Sequence, residues 1–151
     1  MEQRSLIDIK HFIIATRDSG YKSTASAIAE VIDNAIESGA NAIQVHIKRS
    51  KSSSDDEYEI AVQDNGVGMT SDELHLALQF GGSTRFNSRR QLGRYGMGLP
   101  NSSLSQCKRL EVVTWQDPSV FIFNYLDVDE MVENGWTELR PSQSVATPPC
   151  Q

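Results

Sequence analysis

Ser23-Thr24-Ala25-Ser26-Ala27-Ile28-Ala29-Glu30-Val31-Ile32-Asp33-Asn34-Ala35-Ile36-Glu37-Ser38-Gly39 is the stretch on which the reading of this chain turns. Ile28, Val31, Ile32, Ala35 and Ile36 recur at i, i+3, i+4, i+7 and i+8, the pattern of one buried stripe on a helix. The spacing predicts a helix over residues 24–38. Ser23 or Thr24 can cap its start, and Gly39 suits the left-handed residue just past its end. At about 100° per residue, Glu30 and Asn34 fall about 40° apart on the side away from the stripe, one turn from each other. A solvated helix face bearing Glu30, Asp33, Asn34 and Glu37 is one reading. A polar cleft is the other. An amide oxygen is a hard neutral ligand that suits Mg²⁺, and a carboxylate one turn earlier can orient or deprotonate a water for attack on a γ-phosphate.

Outward from the helix, Ala42 to Lys48 alternates Ile43, Val45 and Ile47 with Gln44, His46 and Lys48, which predicts a half-buried strand. Tyr58 to Gln63 is a second strand with Ile60 and Val62 on one face. The polar run Lys48 to Asp56 between them makes an antiparallel hairpin. Thr70 and Glu73 form a capping-box pattern at the head of a helix over residues 70–80, with Leu74, Ala77 and Leu78 on its apolar side. Residues 81–98 follow neither period and read as a long mobile loop. A helix from Leu99 to Cys107 carries Pro100 in its tolerant first turn. Strands at Arg109 to Trp115 and Val120 to Tyr125 flank an Asp117-Pro118 turn. His46 and His75 read as a strand and a helix surface residue and receive no role, and His11 lacks a helical-bundle context. The expected class is α+β, a two-layer sandwich with a mostly antiparallel sheet and helices on one face.

Two glycine-rich segments carry further chemistry. In Asp64-Asn65-Gly66-Val67-Gly68-Met69 an acid ends a strand, where it can accept a hydrogen bond from the exocyclic amine of adenine. Gly66 and Gly68 let backbone approach a base, and Met69 can pack on a purine face; an ordinary turn is the alternative. Gly93-Arg94-Tyr95-Gly96-Met97-Gly98-Leu99 leads into a helix, and backbone N–H groups there make an anion site. It is neither a dinucleotide fingerprint nor a Walker loop, since no strand precedes it and no Lys-Ser or Lys-Thr follows. Arg85, Arg89, Arg90 and Arg94 crowd the same region, as a phosphate-facing segment or a solvated loop.

Bulk properties narrow the classes. The 151 residues, 38% hydrophobic, suffice for one domain with a real core. A net charge of -6 argues against a general nucleic-acid footprint, so no direct nucleic-acid binding is expected. No apolar run approaches the roughly 20 residues that span a bilayer, and the start Met-Glu-Gln-Arg-Ser has no signal-peptide character. Cys107 and Cys150 lie far apart without metal-ligand spacing. These features lead to the expectation of a soluble intracellular protein, cytoplasmic or nuclear, with no membrane partner.

The three motifs in this order, Glu30-x-x-Asp33-Asn34, Asp64-x-Gly66-x-Gly68 and Gly93-x-x-Gly96-x-Gly98, resemble the three sequence boxes of the gyrase, heat-shock chaperone, histidine kinase and MutL (GHKL) ATPases. The resemblance covers about residues 20–125 and implies a Bergerat-type ATP-binding fold with a movable lid. By that resemblance the cofactors are ATP and Mg²⁺. Glu30 would be the general base, Asn34 the Mg²⁺ ligand and Asp64 the reader of adenine. Gly66, Gly68 and Met69 would line the nucleotide pocket, and Gly93, Arg94, Tyr95, Gly96, Met97, Gly98 and Leu99 would close over the phosphates.

Histidine kinases usually carry an amide where Glu30 stands, so Glu30 favours hydrolysis over transfer to histidine. The lid segment is most similar to chaperone and microrchidia (MORC-like) ATPases. Such relatives use ATP as a conformational switch, which implies a nucleotide-dependent homodimer in a full-length protein. One departure stands out: the family's adenine-contacting Gly-Thr is not found after residue 125. The expectation is therefore an ATP-binding domain over residues 1–140 that lacks its last strands, then a linker or truncated edge at 141–151, as the amino-terminal part of a larger protein. A histidine kinase catalytic domain and a non-hydrolysing ATP-dependent interaction module are the rival readings.

Overall fold

In the computed structural model the described residues are 8–21, 23–50, 57–80 and 98–146. Helix α1 (Ile9–Asp18) comes first, capped by Asp8, whose side chain accepts from the His11 N–H. It was not read from the sequence, although Ile9, Phe12, Ile13 and Thr16 share helical spacing. Only Ile13 of this helix is buried. Helix α2 (Thr24–Glu37) follows the expected one within a residue, with Ser23 as N-cap and Gly39 at φ 81° beyond its end. Its stripe is less covered than the periodicity predicts: Ala27 and Ala35 are buried, but Ile36 is 57% exposed.

Strands β1 (Ile43–Arg49) and β2 (Tyr58–Asp64) form the expected antiparallel hairpin, in the register Val45 to Val62 and Ile47 to Ile60. The expected burial of its aliphatic face is corrected. Val45, Ile47 and Ile60 stay well exposed, because no described element covers that face. Helix α3 (Ser71–Leu78) opens with the Thr70–Glu73 capping box in full, each side chain bonded to the other's backbone N–H. Helix α4 (Gly98–Gln106), strand β3 (Arg109–Thr114) and strand β4 (Phe121–Asp127) sit where the pattern placed them. Helix α5 (Val128–Asn134) and the short strand β5 (Gln143–Val145) were not anticipated, and β5 lies inside the stretch expected to be linker or edge.

The described strands build two antiparallel sheets, β1-β2 and β3-β4-β5, where one had been expected. The class is α+β, as read. The core lies on the inner face of β3 and β4, where Leu126 meets Ile13, Leu74, Leu78, Leu104, Val128 and Met131 from the helices. Buried Asn124 on β4 donates to the Arg140 carbonyl and the Ser142 hydroxyl, tying the approach to β5 onto the sheet. No described helix is long and apolar enough to cross a membrane.

Most of the expected mobile loop lies outside the described residues. So do the candidate phosphate contacts Gly93, Arg94, Tyr95, Gly96 and Met97, and the four arginines; Gly98 and Leu99 are described. Cys107 is a free, partly buried thiol, and burial raises its pKa.

Candidate functional site

Helix α2 presents Glu30 and Asn34 on one side, both half-buried, as the angular argument requires. That side packs against α4. Residues with short side chains make the close approach possible: α4 reads Gly-Leu-Pro-Asn-Ser-Ser-Leu-Ser-Gln, a poor helix former by propensity. Its buried Ser102 hydroxyl is satisfied by the Leu99 carbonyl of its own turn.

Gly98, the first residue of α4, lies directly against the Glu30 carboxylate, and a Cβ there would collide with Glu30 Oε1. The first N–H groups of a helix lack intrahelical partners and favour an anion. The structure therefore brings a carboxylate, an amide one turn away and a helix head together. One turn into α4, Asn101 Oδ1 is buried without a hydrogen-bond partner among the described residues. An acceptor left in that position calls for a donor from outside the described set.

The other carboxylate oxygen, Glu30 Oε2, accepts a hydrogen bond from the Tyr21 hydroxyl at 3.0 Å. Burial, then the Glu30 hydrogen bond and charge, raise the Tyr21 pKa, so the phenol stays a donor well into the alkaline range. Sequence reading missed Tyr21. Nothing in its spacing marks it, because the contact depends on how the α1–α2 connection folds over α4.

Asp64 ends β2 and is exposed, with Oδ1 accepting from the Gly66 N–H at 2.8 Å. The loop after it is held by protein contacts on both sides. The Asn65 side chain accepts from the Asn41 and Ala42 N–H groups and donates to Asn41 Oδ1. Gly68 adopts φ 70°, and a Cβ there would run into the Trp115 carbonyl, so left-handed backbone and close approach both call for glycine. The next N–H, of Met69, donates to the buried Thr114 hydroxyl at 2.8 Å. Met69 itself is half-buried and packs on the core, a structural role beside the one expected of it. Asn65 and Thr114 were also missed; both anchor the loop instead of facing a ligand.

Cavity size points elsewhere. A hollow of about 620 Å³ opens between Phe12 and Ile13 of α1, Leu78 and Phe80 after α3, and Trp136 to Leu139. It contains none of Glu30, Asn34, Asp64 or Gly98. Its lining mixes apolar side chains with His75, Gln79 and Glu138, but no motif residue borders it, so the candidate site is defined by the motif residues and not by the hollow. Among the described residues no group of three His, Cys, Asp or Glu side chains is placed to hold a metal. A single amide ligand to a phosphate-bound Mg²⁺ needs no such group.

The family profile for the histidine kinase-, DNA gyrase B- and HSP90-like ATPases matches residues 21–148. The chain belongs to this family. Among curated relatives, the ATPase domain is 37% identical to mouse MORC family CW-type zinc finger protein 3 over 101 residues, 66% of this chain and 10% of that protein. It is 32% identical to the DNA mismatch repair protein MutL of Thermodesulfovibrio yellowstonii over 94 residues, 60% of this chain and 16% of the relative. Mouse ATPase MORC2B is 35% identical over 79 residues, 52% of the chain and 8% of that protein. This ATPase domain thus spans a sixth or less of the length of these relatives. The match to microrchidia proteins agrees with the similarity read from the lid segment.

Proposed function

We propose that this domain binds Mg²⁺-ATP between α2, the end of β2 and the head of α4, and hydrolyses it slowly as a nucleotide-gated switch. The observation that carries the reading is the Glu30 carboxylate set against Gly98 at the start of α4, with Asn34 one turn away. The residues fit the implied group: an amide for a hydrated Mg²⁺, a helix head for phosphate oxygens and no Cβ between head and carboxylate. When bound, Mg²⁺ would neutralise phosphate charge that develops during transfer.

Each residue then has a task. Asn34 holds the metal. Glu30 orients the attacking water and takes its proton at Oε1. Asp64 gives up its Gly66 hydrogen bond, or shares it, to accept from the adenine amine. Gly66, Gly68 and Met69 border the base, while Gly98 and Leu99 begin the phosphate-binding end of α4, continuing from Gly93, Arg94, Tyr95, Gly96 and Met97. As in the family at large, nucleotide binding would be linked to pairing of two copies within the full-length protein. A cytoplasmic or nuclear location follows from the same reading.

Calorimetric titration with Mg²⁺ and a non-hydrolysable ATP analogue, with GTP as contrast, tests the pocket. Saturable, Mg²⁺-dependent binding that prefers adenine is expected, with Asp64→Asn abolishing it. Glu30→Ala should abolish turnover of the full-length protein and leave binding in place. Turnover that survives Glu30→Ala removes the base assignment, and tight binding without any turnover favours a non-hydrolysing assembly module.

A further inference from the structure

We infer that Tyr21 is the positioning residue of this site: its phenol fixes the Glu30 carboxylate so that one oxygen is committed to the protein and the other is presented to the reacting water. The inference rests on the reading of Glu30 as general base. Its grounds are geometric. Tyr21 donates to Glu30 Oε2 at 3.0 Å, while Oε1 is the oxygen turned toward Gly98 at the head of α4. A carboxylate on a flexible glutamate stem samples many orientations, and a donor on one oxygen selects among them.

Tyr21 is itself held from the far end of the same helix. Gln106 Nε2, at the last position of α4, donates to the Tyr21 carbonyl at 2.6 Å, and the Thr24 hydroxyl donates to Gln106 Oε1 at 2.9 Å. Two contacts upstream seat the rest of the connection on α4. Arg17 Nε donates to the Leu104 carbonyl at 2.8 Å, and Gly20 lies so close to Ser105 that a Cβ would meet its side chain at 2.6 Å. A brace results, running from the tail of α4 through Tyr21 to Glu30 and back to the head of α4. Any shift of α4 relative to α2 pulls on the phenol as well as on Gly98, so alignment of the base and placement of the helix head are coupled. Burial, then the Glu30 contact, raise the Tyr21 pKa further above neutrality, which favours the protonated donor form.

Removing only the hydroxyl tests this. In the full-length protein, Tyr21→Phe should lower kcat for Mg²⁺-ATP about tenfold, the loss expected from one charge-assisted hydrogen bond. KM and the affinity for a non-hydrolysable Mg²⁺-ATP analogue should stay within about twofold, because no nucleotide-contacting group is touched. A tyrosine carbon-13 NMR titration gives a readout that needs no turnover: Glu30→Gln should lower the Tyr21 ionisation toward the ordinary tyrosine value.

Three results would overturn the inference: unchanged or raised kcat in Tyr21→Phe, an equal loss in affinity and kcat, or a Tyr21 ionisation indifferent to Glu30→Gln. Failure of the underlying reading is separate. It shows as a Glu30→Gln protein that turns over normally while its Tyr21 ionisation still falls; the contact would then be real and the base assignment wrong.

Discussion

Leu126 on β4 is 1% exposed, whereas Ile47 on β1, also an aliphatic residue within a strand, is 61% exposed. The first sits in a cluster fed by α1, α3, α4 and α5; the second faces outward from a two-stranded ribbon. β1 alternates apolar and polar residues, whereas β4 opens on the apolar run Phe121-Ile122-Phe123, so the pattern already marks β4 as the more apolar strand. Burying a Leu or Ile side chain contributes about 1.5–3 kcal/mol, and a lone two-stranded hairpin is marginal in water. The β3-β4-β5 half is therefore held by its own core. The β1-β2 half is held by its ladder, by the Asn65 clamp and by the Gly68–Thr114 seam. The candidate site lies on the boundary: Gly98 comes from a helix of the well-packed half, Asp64 ends a strand of the thin half, and α2 carries Glu30 and Asn34 between them.

The contrast can be broken or sharpened by substitution. Leu78→Ala, at a fully buried position, should cost about 2–5 kcal/mol in denaturant unfolding, and a cost below 1 kcal/mol would deny the well-packed half its core. Gly98→Ala places a Cβ against Glu30 Oε1 and should cut turnover about 100-fold while the fold survives by circular dichroism. Thr114→Val removes the acceptor of the Met69 N–H at the seam and should cost about 1–3 kcal/mol, with protection of that amide lost in hydrogen exchange. Ile47→Thr should change stability by no more than about 0.5 kcal/mol in this chain. A cost near that of Leu78→Ala would mean that the exposed face is covered in solution.

The smallest effect is a pH effect at the head of α3. Hydrogen bonds from the Thr70 backbone and side chain lower the Glu73 pKa below its ordinary value. A lowered folded-state pKa contributes stability above the unfolded value of about 4.3 and loses it as pH falls through the folded value. Glu73→Gln should therefore lose that contribution at neutral pH, leave stability below the folded-state pKa nearly untouched, and so flatten part of the acid limb. An unaltered acid limb would show the capping carboxylate to be without effect.

Legibility followed the range of the interactions. The capping box, the Gly39 terminus, the hairpin and α4 were readable because each depends on contacts within a few residues. Helix α1 and α5 were passed over: α1 has one buried residue, and α5 is only seven residues long with two. Glu30, Asn34 and Asp64 could be singled out as chemistry, but Tyr21 could not. Its partner is nine residues away on another element, and the chain between them turns through a capped helix start.

The sequence by itself determined the α+β class, the family and the three motifs, since periodicity and glycine placement act locally and survive without coordinates. Only the tertiary structure decided which aliphatic faces are covered, that the described strands fall into two sheets, and that Tyr21 donates to one oxygen of Glu30 while Gly98 lies against the other. Those outcomes depend on how α4 and the α1–α2 connection pack across α2, a long-range arrangement that no local pattern encodes.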